Sequence, residues 1–135
     1  MSESTLQKIK SEIMRNLNVE LALVFGSRAD GTAHAGSDTD IGIVFHDESK
    51  KKENPVDVYS ALLDEFRRAF ATEAIDIVYL KETPLSLQYM AVENGRALYQ
   101  RTESSLADYK EDVLKKYFDF KFFEDIFNQA IISRQ

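Results

Sequence analysis

The sequence has no cysteine, which excludes a disulfide framework, a thiolate zinc site and a cysteine nucleophile. That absence suits a reducing cytoplasm. No apolar run approaches the roughly 18–20 residues needed to cross a bilayer. The first residues, MSESTLQKIKSEIMRNL, lack the charged, apolar and small-residue regions of a secretory signal, so the expected location is the cytoplasm. Positive charge is also scarce: the net charge is −6, and the longest basic cluster, Lys50-Lys51-Lys52, is followed at once by Glu53. Tight binding to a nucleic-acid backbone needs clustered Lys and Arg, so direct nucleic-acid binding is not expected. The segment GSRADG is no dinucleotide fingerprint, and no GxxxxGK[ST] phosphate loop occurs.

What is present fits one ordinary globular domain. The 135 residues are 44% hydrophobic and 30% charged, enough to bury a core in a single domain over residues 1–135. Leu6, Ile9, Ile13 and Leu17 recur at helical spacing and predict a first amphipathic helix. Val19 to Phe25 (VELALVF) is a short, largely apolar run suited to a strand buried on both faces. Gly26 to Ser37 should hold a turn and a short helix, and Asp40 to Phe45 (DIGIVF) a second strand.

His46 to Asn54 reads as a charged loop, and Pro55 opens a helix striped by Val58, Leu62, Phe66 and Phe70. Ala74 to Leu80 (AIDIVYL) predicts a third strand, Leu85 to Asn94 a short helix, and Arg96 to Gln100 an edge strand. One long helix is expected from Ser104 onward, over about 104–132. The order predicts an α/β (α+β) domain with a small mixed sheet of about four strands flanked by helices.

The chemistry concentrates in Gly26 to Asp40, GSRADGTAHAGSDTD. Asp38 and Asp40 are two residues apart at the entrance to a strand, which puts both carboxylates on one face. Carboxylates that close raise one another's pKa unless a cation intervenes. Hard oxygen ligands suit Mg²⁺, which takes one or two carboxylates plus substrate phosphates. Asp76 lies mid-strand between Ile75 and Ile77, where a carboxylate is otherwise out of place. If the third strand lies beside the second, the three carboxylates meet the needs of a two-metal site. Gly26 and Ser27 supply backbone and hydroxyl for phosphate at the start of the following helix. Arg28 and Ser37 are further nucleotide-binding candidates.

These residues resemble the nucleotidyltransferase superfamily that includes DNA polymerase β, above all its minimal members, the MNT antitoxins found beside HEPN-domain toxins. The family signature is a Gly-Ser pair, about ten residues, Asp-x-Asp, and a later strand-borne Asp. Here it reads Gly26-Ser27, the ten residues Arg28 to Ser37, Asp38-Thr39-Asp40, and Asp76. The resemblance implies a polymerase-β-like fold with two Mg²⁺ ions held by Asp38, Asp40 and Asp76, and ATP as substrate. It further implies AMP transfer to a tyrosine hydroxyl of a HEPN ribonuclease toxin, which neutralises it, and a heteromer with that toxin. Asp30 stands where many relatives have Arg, which removes one phosphate contact and leaves Arg28 nearby. Two other readings stay open: an antitoxin that acts by binding alone, and a nucleotidyltransferase whose acceptor is a small-molecule hydroxyl such as that of an aminoglycoside.

The last helix is the second informative feature. Tyr109, Val113, Tyr117 and Phe120 make one stripe, and Phe118, Phe122 and Ile126 another, with Phe123 and Phe127 between. A surface helix needs one apolar stripe; a second points to a partner, or to a helix sandwiched in the monomer. Simple solvent or turn roles suit His34, His46, Asp30 and Asp47.

Overall fold

The computed structural model describes residues 9–26 and 38–133. Its elements are α1 (Ser11–Asn16), β1 (Val19–Phe25), β2 (Thr39–Phe45), α2 (Ser49–Glu53), α3 (Pro55–Phe70), β3 (Ile75–Tyr79), α4 (Leu85–Asn94), β4 (Arg96–Gln100) and α5 (Ser105–Ser133). A 3₁₀ turn over Leu80–Glu82 follows β3. The strands form one mixed sheet in the order β3-β2-β1-β4. β1 is antiparallel to β2 and β4, whereas β2 and β3 run parallel through the α3 crossover.

Alternation along the strands sends side chains to two separate cores. Ala22, Val24, Ile41, Ile43 and Ile77 pack with Leu62 and Phe66 of α3 and Met14 of α1. Leu21, Leu23, Phe25 and Val44 face the other way and pack with Ala91 and Val92 of α4 and Tyr109 and Val113 of α5. The sheet is therefore covered on both faces, as the near-continuous apolar run of β1 requires.

Two expected stretches differ from the structure. The first helix does not run unbroken through its apolar stripe: Lys10 is extended, with φ −82° and ψ 109°, and α1 starts after it. Its N–H donates to the buried Glu65 carboxylate at 2.6 Å instead of joining a helical ladder, and Arg68 neutralises that carboxylate from 2.9 Å. Leu6 lies outside the described residues. The second difference is α2, a short helix inside the expected charged loop. Asp47 Oδ1 accepts the Ser49 N–H at 2.8 Å and opens it. Lys51, only 11% exposed, holds its ammonium over the Phe45 and Tyr79 rings, 5.5 and 5.2 Å from their centroids, and pairs with Glu48 at 3.0 Å. Spacing of charges alone does not disclose a lysine whose ammonium sits over aromatic rings.

The strand carrying the acidic pair also has a tight spot. A Cβ on Gly42 would meet Leu80 Cδ1 and Cγ at 2.8 Å. Gly42→Ala should therefore cost about 1–3 kcal/mol by overpacking, read by urea denaturation. In a Leu80→Ala background the same change should cost clearly less, because the clash has been removed.

Candidate active site

β2 lies between β1 and β3, and this places the acidic residues. Asp40 is the ladder partner of Phe25 on one side and of Asp76 on the other. Asp38 precedes β2 by one residue and is exposed, Asp40 is half-buried, and Asp76 is exposed although Ile75 and Ile77 on either side are buried. Between the two aspartates, Thr39 is fully buried, and its N–H donates to the Ala74 carbonyl at 2.8 Å. That bond ties the start of β2 to the entry of β3, so the spacing of Asp38, Asp40 and Asp76 is set by backbone rather than by flexible side chains.

Burial raises the Asp40 pKa above its ordinary 3.8, and the charges of Asp76 and then Asp38 raise it further. The charged form of Asp40 is thus in unfavourable company, and a cation is what would relieve it. Gly26 completes the corner. Its φ is +81°, and a Cβ there would fall 2.6 Å from Asp40 Oδ2. The glycine allows both the left-handed turn out of β1 and the close approach of backbone to carboxylate. The sequence pattern assigned Gly26 to phosphate alone; its steric tie to Asp40 follows from the β1–β2 register, which spacing does not reveal.

Among the described residues no three acidic or histidine side chains converge into a ready-made metal cage. Open carboxylates of this type still fit Mg²⁺, which keeps waters and phosphate oxygens among its ligands rather than an all-protein shell. Ser27, Arg28 and Ser37 lie outside the described residues. His46, at the far end of β2, lies 3.1 Å from Glu20 and has no part in this site.

The chain belongs to the nucleotidyltransferase family described as Polymerase beta, Nucleotidyltransferase, which it matches over residues 7–104. Its fold is the polymerase-β-like one. It is similar to a toxin-antitoxin crystallised with AMP-PNP, at 19% identity and a TM-score of 0.68, covering 98% of this chain and 99% of that one. It is also similar to a chain of the tri-AMPylated Shewanella oneidensis HEPN toxin in complex with MNT antitoxin, at 17% identity, TM-score 0.64, and coverage of 98% and 99%. A third similar structure is the toxin-antitoxin MntA-HepT, at 16% identity, TM-score 0.63, and coverage of 97% and 99%. No curated protein matches the sequence.

The raised Asp40 pKa has a signed consequence for stability. A carboxyl whose folded pKa lies above its unfolded value destabilises the fold once ionised, and that penalty disappears as pH falls through the folded pKa toward 3.8. In EDTA at neutral pH, Asp40→Asn should therefore melt at or above the wild-type temperature, with the gap closing in acid. A lower melting point for the variant in EDTA would contradict this electrostatic account.

Proposed function

We propose that the chain is a Mg²⁺-dependent adenylyltransferase that moves AMP from ATP to a tyrosine hydroxyl of a HEPN-type toxin and so neutralises it. The observation that carries this reading is the ladder at the sheet end: Asp40 opposite Asp76, Asp38 two residues upstream, and Gly26 against the Asp40 carboxylate. In this reading Asp38, Asp40 and Asp76 would hold two Mg²⁺ ions. When bound, the ions would polarise the α-phosphate and neutralise the leaving pyrophosphate.

The remaining work falls to the chain's own groups. Gly26 leaves backbone room for the triphosphate beside Asp40, and Ser27, Arg28 and Ser37 would contribute phosphate contacts. Asp76, exposed on β3, is placed to accept the proton of the acceptor hydroxyl. That oxygen bonds to the α-phosphorus, the bond from phosphorus to the bridging oxygen of pyrophosphate breaks, and pyrophosphate carries away the electron pair. The similar structures support the reading, since one contains AMP-PNP and another a tri-AMPylated HEPN toxin. Because ATP and Mg²⁺ are supplied there, we place the reaction in the cytoplasm. Residues 1–135 would act as one nucleotidyltransferase domain.

Intact-mass spectrometry of the cognate HEPN-type protein, incubated with this chain, ATP and Mg²⁺, tests the proposal. The mass should rise by one AMP or a multiple, and Asp38→Asn with Asp40→Asn should abolish the gain. Asp76→Asn should slow transfer by about 10²-fold or more if Asp76 is the base. An unchanged mass alongside a stable complex would favour neutralisation by contact alone. An unchanged mass without a complex would favour a small-molecule acceptor.

A further inference from the structure

α5 has 29 residues, which makes it about 43 Å long. Only its first part is buried against the sheet: Ser105, Tyr109 and Val113 are its buried residues. Tyr117 stacks on Tyr89 of α4 with ring centroids 4.1 Å apart, and beyond that the helix passes Pro84 and Leu85 at the start of α4, bordering an apolar cleft of about 310 Å³ with Phe120 and Lys121. Past this point large apolar side chains stand in the open, from 43% exposed at Ile131 to 69% at Phe123.

These side chains do not share one face. At about 100° per residue, Phe120, Phe123, Phe127 and Ile131 continue the side that Tyr109 and Val113 bury. Phe118, Phe122 and Ile126 form a second stripe centred about 140° away around the helix. Taking about 200 Å² for a whole aromatic side chain, the exposed apolar area of the two stripes is on the order of 800 Å². Together the two stripes match the share of one partner in a standard protein–protein interface, about 800 Å². No described helix is long and apolar enough to cross a membrane.

We infer that the distal half of α5 is a docking arm that inserts between helices of the protein acceptor, with one stripe against each wall of the groove. The inference rests on the proposed transfer to a protein. A single facing helix, such as the same arm of a second copy, would cover one stripe and leave the other in water. A groove walled by two helices covers both. Asp40 and Asp76 share the sheet face of Val44 and Val78 (the residues alternate along β2 and β3), and this is the face that α4 and α5 cover. A protein gripping the arm therefore lies on the same face of the sheet as these two aspartates. The similar complexes align over nearly the whole of this chain, arm included.

Light scattering coupled to size-exclusion chromatography tests this on the full chain, alone and co-expressed with the cognate HEPN-type protein. The chain alone should be monomeric, and the pair should co-elute. Phe122→Glu and Phe127→Glu, one from each stripe, should each weaken the complex by about 30-fold or more while keeping wild-type circular dichroism. If either variant loses helix, Phe122→Gln and Phe127→Gln replace them. A complex that survives both changes, or is lost in only one, overturns the two-walled groove. A wild-type chain that dimerises through the arm, or forms no complex at all, overturns the choice of occupant. Asp38→Asn with Asp40→Asn should still co-elute, so loss of transfer with an intact complex counts against the chemistry and not against the arm.

Discussion

The placing of the half-buried Asp40 carboxylate opposite Asp76 and close behind Asp38 is the constraint that the rest of the structure accommodates. At one end of the four-stranded sheet, burial first and then the charges of Asp76 and Asp38 disfavour the ionised Asp40 carboxyl. Nothing local would keep them together. What does so is the ladder: Asp40 cannot leave Asp76 without breaking the parallel pairing of β2 with β3, and that pairing is held by apolar cores on both faces. Backbone hydrogen bonds at this end, such as that from Thr39 to Ala74, carry the load at full strength because Thr39 is sealed from water. The sheet is thus a clamp on a carboxylate whose charged form is disfavoured where it stands.

The opposite end of the sheet is organised by satisfied charge. Glu20 accepts a hydrogen bond from Ser105 and lies beside His46, fixing the start of α5 to β1. Lys51 covers Phe45 and Tyr79 while pairing with Glu48 and Glu82. Glu20, Glu48, Lys51 and Glu82 each have a partner. The two ends thus contrast: at one the charges are paired, and at the other the ionised Asp40 is disfavoured by burial and by its acidic neighbours.

Much of this was legible in the sequence, for identifiable reasons. The four strands and the helices α3, α4 and α5 came from hydrophobic period, and their bounds agree with expectation to within a residue or so. Asp76 stood out because a carboxylate between two isoleucines needs a reason, and the parallel register then put it beside Asp40. Features that depend on distant contacts were not legible. The break at Lys10 is caused by Glu65, 55 residues away. The short helix α2 is held by a lysine lying on aromatic rings from β2 and β3. Gly26 looked like a phosphate residue, and only the register shows that Asp40 itself forbids a side chain there. The aromatic stripes of α5 were visible, but pattern could not say which of them the domain would bury.

The half-in, half-out placement of α5 divides the chain's freedom to change. Substitutions at Tyr109 or Val113 are answerable to Leu21, Leu23 and the rest of the sheet beneath. Those at Phe122, Phe123 or Phe127, exposed on the arm, are answerable to nothing else in the described fold. Mutational drift can therefore accumulate in one stretch of helix without disturbing Gly26, Asp40 or Asp76. Chains built on the same sheet and carboxylate ladder are free to diverge in what the arm meets, and a grafted distal segment would be a direct way to redirect one of them.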